Sequence, residues 1–154
     1  MSQSLSQLII HLIFSTKHRH PFLKQEELRQ QLYCYIKSIC HRQKCEIISI
    51  GGTKDHIHIL LNLHKNSTAS LLVEEIKKSS SKWIKTRVSN DDEIKNFYWQ
   101  KGYAILSVSQ SNISKVKTYI ENQKQHHKKQ NFKEELRCFL IKHHLQYNEC
   151  YLWD

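Results

Sequence analysis

Residues 55–61 read DHIHILL, and the order of polar and apolar side chains in that stretch decides how the chain folds. Successive side chains of a strand point to opposite faces, so Ile57, Ile59, Leu61 and Leu63 line one face and His56, His58, Asn62 and His64 the other. The apolar face is predicted to be the core face of a sheet, and the histidine face is predicted to stay open. Just upstream, residues 45–50 form another β-prone run, separated from the first by Gly51, Gly52, Thr53 and Lys54, which is turn chemistry of hairpin length. The two runs are expected to pair antiparallel.

Working outward, residues 7–16 place Leu8, Ile10, Leu12 and Phe14 at even positions and Gln7, His11 and Ser15 at odd ones, a strand pattern. After Pro21, residues 24–44 carry Leu28, Leu32, Tyr35, Ile36 and Ile39 at helical spacing. A second helix, capped by Ser67 or Ser70, is predicted to run to about Arg87 with Leu71, Leu72, Ile76, Trp83 and Ile84 as its buried stripe. A polar loop, residues 89–96, holds Asp91, Asp92 and Glu93. Residues 98–108 are predicted to form a fourth strand weakened by Gly102, and Ser109 or Ser111 to cap a third long helix reaching about Lys129. The order βαββαβα fits an α+β fold, a ferredoxin-like or RRM-like antiparallel sheet with two helices on one face. At 154 residues the chain fits one domain, read as residues 1–130 with a helix and tail over residues 131–154.

Composition narrows the partner. Lys and Arg outnumber Asp and Glu by 24 to 14, and eleven His add charge wherever phosphate or acid raises their pKa, so a polyanion is expected. The five cysteines form no CxxC pair, which fits free thiols in a reducing cytoplasm, the expected location. The longest apolar run, residues 8–14, is interrupted by His11 and falls far short of the roughly 18 residues a spanning helix needs. No membrane association is expected.

The chemistry starts at His56 and His58. Same-face neighbours on a strand are ~7 Å apart at the backbone, so both imidazoles can turn onto one metal ion. An HxH pair alone equally fits a solvated strand face. In the third predicted helix Ile113, Val116 and Ile120 define the buried face, with Tyr119 at its edge and Gln123 one turn on, about 6 Å along the axis. A tyrosine there equally fits a packing residue with a wet hydroxyl. Together, however, the two histidines and an amide oxygen complete an N,N,O metal site with a phenol beside it.

Five blocks carry a resemblance: HLIFSTKHR at 11–19, DHIHILL at 55–61, IKKSSSKWI at 76–84, YWQKGYAILSVS at 98–109 and YIENQKQHHKK at 119–129. In that order they resemble the single-tyrosine HUH transposases of small bacterial insertion sequences, the IS-two-hundred-like type, with their REP-associated tyrosine transposase relatives. The resemblance implies that His56, His58 and Gln123 bind a divalent metal and that Tyr119 attacks DNA. It further implies a 5′-phosphotyrosine link, single-stranded DNA with a hairpin as substrate, and a homodimer whose neighbour supplies the tyrosine in at least one state. Lys54 departs from the proline that relatives often carry before the Asp-His pair, while the FEEL-like stretch and the YLWD ending resemble the longer members.

Two imidazoles favour manganese, zinc or cobalt, whereas a phosphate substrate and cellular abundance favour magnesium, so magnesium or manganese is the expected ion. His11, His126 and His127 are outside candidates for ligation or assistance. For phosphate grip, Lys115, Lys117, Lys124, Lys128 and Lys129, followed by Lys133, face the single acid Glu121 over residues 115–133, and Lys77, Lys78 and Lys82 form a second basic group. Phe97, Tyr98, Trp99 and Tyr103 are either base-stacking or core aromatics. Three other readings fit parts of the pattern: a domesticated relative acting on chromosomal hairpins, a replication or conjugation nickase, and an RRM-like module that binds single strands without chemistry.

Overall fold

The computed structural model describes residues 2–88 and 90–154; Ser89, in the predicted polar loop, lies outside the described residues. Alternation in the first strand does what its pattern predicts. In β1 (Ile9–Ser15), Ile10, Leu12 and Phe14 enter the main core together with Ile57, Ile59 and Leu61 of β3 (His56–Asn62). That core is closed by α1 (Glu26–Arg42) and α2 (Ala69–Arg87), whose Leu32, Ile36, Ile76 and Ile84 are fully buried. Leu8, expected to extend the strand, is half exposed and lies before it.

With β2 (Glu46–Gly52) and β4 (Ala104–Ser107) the sheet runs β2-β3-β1-β4, every neighbouring pair antiparallel. The expected α+β, ferredoxin-like sheet with two helices on one face is therefore present. Gly51 and Gly52, expected in the hairpin turn, instead finish β2, opposite His58 and Ile57. Thr68, which lies between the two predicted caps Ser67 and Ser70, caps α2 by accepting from the Leu71 amide.

The fourth strand is shorter than predicted for a specific reason. The Trp99 segment makes one bridge to Thr16, and Gln100 exchanges bonds with Ser15, accepting its amide at 2.7 Å on Oε1 and donating its own amide to the Ser15 carbonyl at 2.9 Å. Beyond that, the carbonyls of Gln100, Lys101 and Gly102 converge on the Lys77 ammonium at 2.8, 3.1 and 2.8 Å. A side chain from α2 thus takes acceptors a ladder would have used.

The second face of the sheet is covered, not open. The predicted long third helix breaks at Asn122 into α3 (Ile113–Glu121) and α4 (Gln123–His126), and α5 (Phe132–Lys142) follows. An Asn131–Glu134 capping box starts α5, close to the short C-terminal helix expected there. Phe132, Leu136 and Leu140 pack on Ile13, Ala104 and Leu106, while Ile120 packs on Ile9 and Leu60. These contacts place three short helices over the histidine side of the sheet. No described helix is long and apolar enough to cross a membrane.

Candidate active site and metal centre

Register brings Ser15 opposite His56 and Ile13 opposite His58 at the centre of the covered face. Both imidazoles are fully buried, so the expectation of a solvated histidine face is corrected. The physical reason is Ile9, Ile13 and Leu60: these apolar side chains share that face and draw α3 and α5 onto it.

Each imidazole is held from behind by one nitrogen. The Nδ1 of His56 lies 2.8 Å from Asp55 Oδ1, and the Nδ1 of His58 lies 2.8 Å from His11 Nε2. Their Nε2 atoms both face Glu135 Oε1 of α5, at 3.5 Å from His56 and 2.8 Å from His58. His127 Nε2 reaches the other carboxylate oxygen at 3.1 Å. His56, His58, His127 and Glu135 offer ligand atoms within 4.8 Å of one another, a donor set of three imidazoles and a carboxylate that could hold a metal ion.

Tyr119 and Gln123 come to the same place. The Tyr119 hydroxyl donates to Glu135 Oε2 and its ring stacks on His126 at 4.3 Å, while Gln123 Oε1 lies 3.2 Å from His56 Nε2. The Asn122 break does not separate the pair, because the Gln123 amide donates back to the Tyr119 carbonyl at 3.4 Å. Close seating of α3 on β2 fixes the tyrosine: a Cβ at Gly51 would lie 2.6 Å from the Ile120 carbonyl oxygen, so only glycine admits this approach.

Electrostatics follow from this crowding. Burial pulls the His56 pKa down, but hydrogen bonds with Asp55 and Glu135 outweigh it and raise it to about 9. Burial wins at His58, which is lowered, and at His11, which is lowered to about 3. Burial and then the Glu135 carboxylate push the Tyr119 phenol above its usual value. Burial opposes charge on Glu135 as well, yet bonds from His127, His56 and His58 hold its pKa well below the carboxylate range.

A model of the IS200-like transposase family matches residues 4–123, most of the chain, and spans β1 through the first residue of α4. This chain belongs to the IS200-like transposase family. It is 27% identical over 119 residues to the ISDra2 transposase TnpA of Deinococcus radiodurans, covering 76% of this chain and 84% of that protein. It is 25% identical over 120 residues to the transposase for insertion sequence element IS200 of Salmonella typhimurium, covering 73% and 74%. In fold it is similar to a crystal structure described as a transposase from Deinococcus radiodurans R1, with TM-score 0.63, 24% identity, and 80% and 98% of the two chains covered. It also resembles a REP-associated tyrosine transposase bound to a REP hairpin, with TM-score 0.59, 18% identity, and 82% and 74% covered. The protein is a transposase, hence a DNA-processing enzyme. Two cluster members, His127 and Glu135, lie beyond the family-matched residues.

Glu135 escaped the sequence reading. Its signal is a carboxylate three residues after Phe132 and four before Phe139, on an apolar helical stripe where a lone acid needs partners. The lysines divide. Lys78, Lys82, Lys115, Lys117, Lys128 and Lys129 are exposed, Lys124 is exposed but paired with Glu26 at 2.7 Å, and Lys77 is spent on the three carbonyls. Burial lowers the Lys77 pKa to about 8. Of the aromatics, Phe97 and Trp99 are core residues, whereas Tyr98 and Tyr103 are exposed.

Proposed function

We propose that this transposase cleaves and rejoins single-stranded DNA next to a hairpin through a 5′-phosphotyrosine intermediate on Tyr119, as an HUH single-tyrosine enzyme. The observation that carries the reading is the shared carboxylate: the phenol and three imidazoles all meet at Glu135, so a nucleophile and a metal-ligand set occupy one centre. His56, His58 and Gln123 are the proposed ligands, with His127 and Glu135 available for remaining positions. A bound Mg2+ or Mn2+ would neutralise and polarise the scissile phosphate. Tyr119 Oη gives up its proton and attacks phosphorus, the P–O3′ bond breaks, and the leaving 3′-oxygen takes up a proton, so none is gained or lost overall. The reverse attack by a 3′-hydroxyl frees the tyrosine and conserves the bond, so no nucleotide cofactor is consumed.

Residues 131–154 belong to the same domain in this reading, since α5 supplies Glu135. Exposed Lys78, Lys82, Lys115, Lys117, Lys128 and Lys129 carry the phosphate grip, with Lys124 joining them when Glu26 releases it. The working unit is a homodimer, because moving a segment requires cuts at two ends and one chain offers one nucleophile. A second reading, action on chromosomal hairpins as a domesticated enzyme, is favoured by the likeness to the REP-hairpin-bound transposase. Both readings are tested by incubating the protein with labelled hairpin single strands from the flanks of its gene and from repeated chromosomal palindromes. A protein–DNA adduct surviving denaturation supports the chemistry, and the strand that forms it separates the two.

A further inference from the structure

We propose that the cavity between Tyr98, Lys17 and Trp153 is a nucleobase pocket, which takes one unstacked base of the single strand near the cleaved phosphate. Its choice of ligand rests on the function proposed above. The cavity measures about 440 Å3 and is lined by Lys17, His18, Tyr98, Trp99 and Lys101 on one side and Trp153 and Asp154 on the other.

Neighbouring aromatics in this wall have different duties. Trp99 turns inward, donates its indole N–H to Ser80 at 2.9 Å and meets Phe14 and Phe97 edge-on, so the core accounts for it. Tyr98 turns outward and remains 54% exposed, with the Lys85 ammonium 4.0 Å and the Lys17 ammonium 5.7 Å from its ring centre. Across the cavity, Trp153 carries Arg19, Lys133 and Arg137 at 5.6, 4.9 and 5.2 Å. Of these cations only Arg137 has an acid partner among the described residues, Glu149. Aromatic rings with cations over their faces match a ligand that is itself flat, aromatic and strung on phosphates, which is single-stranded nucleic acid: its bases compete for the rings and its phosphates for the cations.

Position argues for a base close to the reacting phosphate. His56 stacks on Phe132 at 4.6 Å between ring centres, and Phe132 meets Trp153 at 6.4 Å, so one aromatic ring separates the cavity wall from the cluster. A backbone relay ties the other wall to the same site. The backbone carbonyl of Asp55, whose carboxylate holds His56, accepts the Thr16 amide at 2.8 Å, and the next amide, that of Lys17, donates to the Tyr98 carbonyl at 2.8 Å. Directly after Lys17, His18 and Arg19 hold φ of 55° and 56°, a left-handed conformation that side-chain-bearing residues adopt only at a cost. That turn follows Lys17, puts His18 in the cavity wall and sets Arg19 over the Trp153 ring.

The test combines abasic scanning of a labelled hairpin strand with Tyr98 variants, read by fluorescence anisotropy. Wild type should lose about tenfold in affinity when one particular nucleotide flanking the cleaved phosphate is made abasic. Tyr98→Ala should lose a similar factor on the intact strand and nothing more on that abasic strand, while Tyr98→Phe stays near wild type. Affinity of Tyr98→Ala within twofold of wild type, or an abasic position whose loss simply multiplies with that of the mutant, overturns the pocket. Scanning on wild type alone keeps the question decidable if Tyr98→Ala folds poorly: no sensitive position means no pocket. Absence of a Tyr119 adduct with intact pocket coupling would instead overturn the cleavage chemistry.

Discussion

His11 Nε2 lies 2.8 Å from His58 Nδ1, on the side of the His58 ring away from Glu135. Asp55 does the same for His56, so each proposed ligand presents Nε2 inward because its other nitrogen is held. His11→Leu should therefore weaken divalent-metal binding about 10- to 100-fold by calorimetry while His56 stays oriented. His11→Asn, which keeps a polar atom near Nδ1, should recover part of the loss. Unchanged affinity in both would reduce His11 to a packing residue.

Removal of the nucleophilic oxygen separates binding from chemistry. Tyr119→Phe should abolish covalent adducts on denaturing gels and leave hairpin affinity within a few-fold. His56→Ala should also abolish cleavage, but it takes the imidazole partner from the Asp55 carboxylate and from the Gln123 amide oxygen, so a stability loss of about 1–3 kcal/mol is expected by urea titration. A Tyr119→Phe protein that still formed adducts would move the nucleophile elsewhere, with Tyr103 the first residue to test.

Linkage gives the metal-free protein a pH optimum. His56 is raised to about 9, so its contribution is fully present below pH 6.5 and is lost as pH climbs through 9. His11 is lowered to about 3 and His58 is lowered too, so stability falls as pH drops below 6.5, where the unfolded chain takes up protons that the folded one refuses. Melting temperatures in chelator should peak near neutrality and decline on both sides. His11→Leu should flatten the acid arm, and a monotonic profile from pH 4 to 10 would contradict both assignments.

The strand pattern carried much of this architecture. Ile57, Ile59 and Leu61 announced the core face by alternation alone, and the residue blocks from 11 to 129 indicated the family. What the pattern concealed was the fate of the other face. Ile9, Ile13 and Leu60 sit there between polar residues, too sparse to outweigh two histidines in a local reading, and their partners, Phe132 and Leu136 for Ile13 and Ile120 for Ile9 and Leu60, lie about 60 or more residues downstream. The apolar stripe around Glu135 shows only that this acid needs partners; which ones depends on a long-range contact that no local period encodes. Lys77 looked like part of a basic patch because sequence shows charge and not the three carbonyls that absorb it.

That difference among lysines can be measured. Lys77→Met should cost about 2 kcal/mol of stability in denaturant unfolding, since it strips the Gln100, Lys101 and Gly102 carbonyls of a charged donor. Lys78→Ala and Lys82→Ala, both exposed, should leave stability within about 0.5 kcal/mol of wild type. In return they should weaken strand binding and reduce its salt dependence, each by about one phosphate contact. Loss of DNA affinity confined to Lys77→Met would reverse these roles.

In the proposed homodimer each site is completed by a tyrosine from its own chain or from its neighbour's. The family resemblance implies that α3 serves a neighbour's sheet in at least one state. Within this chain, however, Tyr119 already meets Glu135 beside its own His58, the two rings 5.9 Å apart. Ile120, the next residue, is buried against Ile9 and Leu60 of the same sheet, and Gly51 admits the helix at backbone contact. Lifting α3 onto a neighbour would expose Ile120 and empty that contact, costing about 1.5–3 kcal/mol before any new contact forms. A mixture of Tyr119→Phe and His56→Ala chains, each inactive alone, should therefore remain inactive after subunit exchange, because no chain in it holds both a tyrosine and its own intact histidine pair. Exchange is verified by energy transfer between labelled subunits. Recovery of adducts in the exchanged mixture would mean that α3 leaves its own sheet, and the residues between β4 and α3, with Ser109 and Ser111 hydrogen-bonded at 3.1 Å, would then be the segment to lock with a disulfide.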